Sequence, residues 1–76
     1  MKTKEIKELA KKIAKEEFIF RHSEEENKIA EAKGNILYYS NLITSIEDMA
    51  AIDDKVVKIL NKMEASIWQK NKIFVY

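Results

Sequence analysis

Hydrophobic residues recur along this chain at spacings of three and four positions, which is the period of an amphipathic α-helix. The pattern breaks twice, around Arg21–Ser23 and around Leu42–Thr44. Three helices are therefore predicted, at about residues 3–21, 24–43 and 46–70. Because 76 residues suffice for one core only, we expect a single all-α domain over residues 1–76. Its architecture is a three-helix bundle, either closed by itself or completed by dimerisation.

Each predicted helix carries one stripe of core residues. In the first helix the stripe consists of Ile6, Leu9, Ala10, Ile13 and Phe20. In the second it consists of Ile29, Ala32, Ile36, Tyr39, Ile43 and Ile46, with the spacing of a helix–helix seam. In the third it consists of Met49, Ile52, Val56, Ile59, Leu60, Met63 and Ile67. The three stripes are expected to face one another in the core.

Local signals mark the starts of the second and third helices. Ser23, followed by three glutamates, predicts a capping box in which the Ser23 hydroxyl accepts from the Glu26 amide. Ser45 is the predicted N-cap of the third helix. Gly34 lies inside the second helix, where glycine costs about 1 kcal/mol relative to alanine. We therefore expect a second backbone to pack closely against Gly34.

The C-terminal tail Ile73–Tyr76 has four consecutive apolar residues without helical spacing. It is therefore predicted to lie outside the third helix. Three interpretations stay open: the tail docks on the bundle, adds to another molecule as an edge strand, or binds a partner.

The composition removes most kinds of catalytic chemistry. The chain has one glycine, no proline, no cysteine and a single histidine, His22. There is consequently no disulfide, no zinc–thiolate site and no thiol nucleophile, and one histidine leaves little for acid–base catalysis. We expect no enzyme activity, no cofactor and no metal. The polar N-terminus lacks the apolar stretch of a secretory signal, so a cytoplasmic location without membrane contact is expected.

Two carboxylates are predicted to be buried polar residues. Glu17 projects into the apolar arc of the first helix, and Asp53 lies at the margin of the core face of the third. Glu17 is either a general acid–base residue or polar hot spot, or else a half-exposed or hydrogen-bonded structural residue, and the structural interpretation is favoured because a lone carboxylate rarely makes a site. A magnesium site that adds Glu47, Asp48 and Asp54 lacks the required spacing.

The charges nearly balance, with fourteen basic against thirteen acidic residues and a net charge of +1. Their distribution is uneven, since residues 1–22 carry seven basic and four acidic groups. The face of the first helix opposite its stripe holds four lysines, with Phe18 continuing it: Lys4, Lys7, Lys11 and Lys15. Basic side chains beside an aromatic ring suit a phosphate backbone, so nucleic-acid binding is the alternative function.

Apolar residues make up 46% of the chain, which is more than three short stripes can bury. Leu37, Leu42 and Val57 lie outside the stripes, as do several aromatic residues. The best candidates for protein contact are Phe18, Tyr38, Trp68, Phe74 and Tyr76. This surplus predicts a non-enzymatic protein-interaction module that forms a homo-oligomer or a complex with another protein.

Three short patterns carry a resemblance to a known group. They are Ile13-Ala14-x-x-Glu17-Phe18-Ile19, Ala30-Glu31 and Asp48-Met49-x-x-Ile52-Asp53. Over residues 5–62 the chain resembles small uncharacterised helical proteins that bacteriophages and prophages encode, whereas residues 63–76 depart from that group. The resemblance implies a phage accessory or anti-defence protein that binds and inhibits a host protein in the host cytoplasm.

Overall fold

The chain folds into three helices in a computed structural model, which describes the backbone of residues 1–74 and the side chains of residues 1–67. Helix α1 spans Thr3–His22, α2 spans Glu26–Asn41 and α3 spans Ile46–Phe74. No strand occurs in residues 1–74. The predicted all-α three-helix bundle is confirmed.

Helix α1 lies between the other two helices. It packs along both α2 and α3, whereas within residues 1–74 no Cα atom of α2 lies within 8 Å of one in α3. Helices α1 and α2 form a hairpin through residues 23–25. Helices α1 and α3 run in the same direction, because the Met1 amino group lies 3.0 Å from Asp48 and Arg21 lies 3.1 Å from Glu64. The bundle is therefore open along the side where α2 and α3 do not meet.

The main core joins α1 to α3. Its buried members are Leu9, Ala10, Ile13 and Ala14 from α1 and Ile52, Val56 and Leu60 from α3. Ala10 and Ala14 are 0% exposed, and their small side chains let the larger residues of α3 approach the α1 backbone closely. Helix α2 contributes one buried residue, Ala32, and its half-buried Tyr39 packs against the main core.

The molecule is elongated for its size. Its radius of gyration is 14.1 Å, whereas a compact domain of this length has about 11 Å. One cause is the length of α3. Since Glu64 contacts the last turn of α1, residues 65–74 continue the helix for about 15 Å beyond that contact.

The two predicted serine caps have different outcomes. The Asp48 amide donates to Ser45 Oγ at 3.5 Å, so Ser45 is the N-cap of α3 as predicted. The capping box at Ser23 is wrong, because Ser23 ends α1 in an extended conformation and its hydroxyl accepts from the Glu25 amide at 3.2 Å. The chain needs residues 23–25 to reverse its direction, and α2 consequently begins at Glu26 rather than at residue 24.

Both later helix ends also differ from the prediction. Helix α2 ends at Asn41, and Ile43 lies in the following turn, half-buried against the core. Helix α3 continues to Phe74, so the prediction that Ile73 and Phe74 lie outside it is wrong. No proline or glycine follows residue 60, and nothing in the local sequence stops the helix. Val75 and Tyr76 lie outside the described residues.

Three residues assigned to the core stripes are exposed instead. Phe20 is 42%, Met49 44% and Ile46 86% exposed. Phe20 lies two turns beyond Ile13 on the side of α1 that faces the open part of the bundle. The helical projection located these residues relative to their own helix, but the open arrangement leaves that side without a neighbour. Within residues 1–74, no helix is both long and apolar enough to cross a membrane.

Replacing Ile52 tests the central position of this residue in the core. Ile52 is 0% exposed, so Ile52→Ala should lower the free energy of unfolding by about 3 kcal/mol through lost apolar contacts and a cavity. The matched control is Ile46→Ala at the exposed start of the same helix, which should change it by less than about 0.5 kcal/mol. Urea unfolding followed by circular dichroism measures both values, and equal losses would contradict the assigned core.

Replacing Gly34 tests whether another backbone needs the space beside it. A Cβ atom added at Gly34 meets nothing within 4 Å, and so the expected close backbone contact is wrong. Gly34→Ala should raise the free energy of unfolding by about 1 kcal/mol, since alanine is the better helix former. The same urea titration measures the change, and a loss of stability would show that something does pack there.

Candidate protein-binding groove

The open side of the bundle forms a groove, here called the α2–α3 groove, with a volume of about 380 Å³. Helix α1 forms its floor with Ile13, Glu17 and Arg21. The α2 side of the groove consists of Ile36 and Ser40, with Ile43 from the turn that follows α2, and the wall from α3 consists of Met49, Asp53, Val56, Val57 and Leu60. The groove exists because α2 and α3 both pack on α1 but not on each other.

Large apolar side chains are exposed on the α3 wall. Met49 is 44% and Val57 55% exposed, and Ile46 precedes Met49 by three residues on the same side of α3. Phe20 of α1 is also exposed, but it does not line the groove. Single exposed apolar residues are ordinary, but a row of them beside a concave apolar surface is typical of a binding site.

Charged side chains close one end of the groove. Arg21 lies 3.4 Å from Glu17 and 3.1 Å from Glu64, and His22 Nε2 lies 3.5 Å from the same Glu64 oxygen. Of these groups Glu17 and Arg21 line the groove, together with Asp53 on the α3 wall. All of these groups are partly exposed, so their ion pairs contribute little to stability, and their excess negative charge is available to a ligand.

A second depression lies between α1 and α2 and has a volume of about 480 Å³. Its lining residues are Glu16, Phe18, Ile19, His22, Ser23, Lys28, Glu31, Ala32 and Asn35. Although it is larger, none of the exposed large apolar side chains belongs to it. The α2–α3 groove is therefore the stronger candidate site.

The predicted contact residues do not form one surface. Phe18 was expected to point away from the core, but it is half-buried against it, with its ring centroid 4.5 Å from that of His22. Tyr38 is 62% exposed, lies edge-on to Tyr39 and lines neither depression. The side chains of Trp68, Phe74 and Tyr76 lie outside the described residues.

Glu17 and Asp53 were predicted to be buried, and this is wrong. Among residues 1–67 no polar or charged residue is buried. Glu17 lies on the floor of the groove, where solvent reaches it and Arg21 pairs with it, while Asp53 lies exposed on the wall. The projection placed both on the correct side of their helices, but that side is the open one. In the described part of the chain, no three His, Asp or Glu residues lie close enough to hold a metal ion.

The four lysines of the nucleic-acid alternative are all exposed: Lys4, Lys7, Lys11 and Lys15. None of them lines the α2–α3 groove, so the basic surface and the apolar groove are separate features of the molecule. Nucleic-acid binding stays a prediction.

The ion pair beside the α2–α3 groove joins two residues that the sequence did not single out. Arg21 was assigned only to a helix end, and Glu64 had no assigned role. Their contact joins positions 43 residues apart, and no local pattern signals such a pair.

No protein-family model, curated protein or solved structure matches this chain. The argument for its function therefore depends on the geometry and chemistry of the groove.

The Arg21–Glu64 contact is testable by a double-mutant cycle. Arg21→Ala, Glu64→Ala and the double variant should give a coupling energy of about 0.5 kcal/mol, because both side chains are partly exposed. Urea unfolding at low and high salt measures it, and the coupling should shrink as salt screens the pair. A coupling that is zero at low salt would mean that the contact does not hold α1 to α3.

Proposed function

We propose that this chain is a non-enzymatic interaction module that binds a helix of another polypeptide in the α2–α3 groove. The observation that carries the proposal is the exposure of Met49 and Val57 on the wall of an open apolar groove. Covering these side chains removes apolar surface from water, which favours binding by roughly 25 cal/mol for each Å² buried.

A helix is the ligand that fits this groove best. Helices α2 and α3 both lie along α1, so the space between them follows α1, with Ile13 on its floor and apolar side chains on both walls. An amphipathic helix in that space contacts three helices at once and places its apolar side on Ile13, Met49 and Val57. The carboxylates at the border favour a helix with lysine or arginine beside its apolar stripe.

The resemblance to small phage-encoded proteins supports a more specific form of the proposal. In that form the chain is a phage accessory protein, and its target is a host protein that it inhibits by occupying a helix. The lack of cysteine and the single histidine support a role in binding rather than in catalysis.

Replacing Val57 tests the groove. Val57→Glu places an unpaired charge at the centre of the proposed interface and should abolish capture of the partner, while the exposed position keeps the change in stability within about 0.5 kcal/mol. A tagged chain is used to capture proteins from a natural-host lysate that also contains untagged copies of the chain. Circular dichroism confirms that the variant is folded.

Two control variants give this experiment its specificity. Tyr38→Glu changes an exposed residue outside the groove and should leave capture intact. Lys11→Glu should also leave capture intact. If the wild-type chain binds nucleic acid with a steep salt dependence and Lys11→Glu abolishes that binding, the alternative function is supported instead. Capture that survives Val57→Glu but not Tyr38→Glu would contradict the proposed site.

A further inference from the structure

The C-terminal end of α3 extends beyond the rest of the bundle. Glu64 contacts the last turn of α1, and the helix continues through residues 65–74. A helical segment of this length is only marginally stable by itself in water, so it benefits from a surface to pack against. The sequence of residues 65–76 has two lysines, no acidic residue, and four large apolar residues up to Phe74: Ile67, Trp68, Ile73 and Phe74.

We propose that residues 65–76 of a second copy of this chain occupy the α2–α3 groove, so that two copies form a dimer. The proposal rests on the proposed function of the groove as a helix-binding site, and it names the helix. Each copy gives its C-terminal segment to the groove of the other.

The segment cannot reach the groove of its own copy. The residues of α3 that line the groove end at Leu60, and α3 then continues as a helix to Phe74. Residues 65–74 therefore lead away from the groove along the helix axis. Only the corresponding segment of another copy can enter the space between α2 and α3.

The charges of the segment and the groove are complementary. Glu17 and Asp53 line the groove together with one cationic residue, Arg21, which also contacts Glu64. The segment brings Lys70 and Lys72 and no carboxylate side chain. Lysines beside an apolar stripe are the features that an acid-bordered apolar groove selects.

The exposed surface area fits the formation of a dimer. The chain exposes 6223 Å², about 1,400 Å² more than a compact protein of its mass. A standard interface covers about 800 Å² on each partner. A dimer that covers both the groove and the segment accounts for much of this excess.

A single two-fold axis relates the two contacts of the dimer, each between the C-terminal segment of one copy and the groove of the other. If the α3 helices of the two copies run antiparallel, residues 67–74 of one lie opposite 49–56 of the other when the axis passes between Asn61 and Lys62. This register places the lysine-containing part of the segment near Asp53. Because the axis produces the same contact twice, the assembly closes at two copies and does not extend into a fibre.

Sedimentation equilibrium on the full chain tests the dimer. The wild-type chain should be dimeric at micromolar concentrations. Val57→Glu in the groove should raise the dissociation constant on the order of a hundredfold. Asp53→Lys and Lys70→Glu should each raise it about tenfold, and combining the two should restore most of the loss. Tyr38→Glu should have no effect.

Trp68 provides an independent readout, because it is the only tryptophan of the chain and lies in the proposed segment. Its emission should shift to longer wavelength on dilution of the wild-type chain and should be independent of concentration in Val57→Glu. This measurement shows whether the segment itself takes part in the contact.

The outcomes separate this proposal from the proposed function. A monomeric wild-type chain that still captures another protein through Val57 overturns the dimer and leaves the groove as a binding site. A dimer that is insensitive to Lys70→Glu overturns the segment as the occupant. A dimer unaffected by Val57→Glu overturns the groove as the dimer contact, while the capture experiment decides separately whether another protein binds there.

Discussion

The close packing of α1 against α3 is the constraint on which the rest of the molecule depends. Ala10 and Ala14 are buried in one cluster with Ile52, Val56 and Leu60, and their small side chains allow these three residues to approach the α1 backbone. Larger residues at these two positions would hold α3 away and leave Ile52 without the neighbours that bury it completely. Ion pairs hold the two ends of this interface. The Met1 amino group contacts Asp48 at one end, and Arg21 contacts Glu64 at the other.

The groove exists because α2 and α3 pack on different sides of α1. Because one side of α1 is fully occupied by α3, α2 packs on a different side and never reaches α3. A closed bundle would have used the same apolar residues to fill its centre, and Met49 and Val57 would then be buried. In this molecule they are exposed on the wall of the groove. The surplus of apolar residues in the sequence thus has a location, although not the one that the aromatic candidates suggested.

The periodicity of the sequence was sufficient to predict the three helices but not to predict which helix packs against which. It located three helices to within a few residues, since spacings of three and four depend only on the helix itself. It could not show that α2 and α3 would stay apart, because the pairing of faces depends on packing between distant segments. Glu17, Phe20 and Met49 were therefore placed on the correct side of their helices and yet assigned to a core that does not extend over them.

The difference between local patterns and packing of distant segments also explains the outcomes for the serine caps and for the candidate site. Ser45 caps α3 as its local sequence predicts. Ser23 has an equally good local signal, but it does not cap α2 because the chain reverses its direction there after α1. Composition predicted a surface for protein contact, and this stays a prediction. The polar group of Arg21, Glu64 and His22 had no sequence signature, because it exists only after two distant helix ends meet.

The pairing of α1 with α3 also affects the order in which the chain can fold. The ion pairs at the two ends of the α1–α3 interface join positions 47 and 43 residues apart, and residues 23–45 between these two helices bury little besides Ala32. During synthesis, α1 and α2 emerge first and leave Leu9, Ile13 and their neighbours in contact with water until α3 follows. Folding of this small helical protein must therefore wait for most of the chain, and it includes a non-local step that closes a loop of more than half its length.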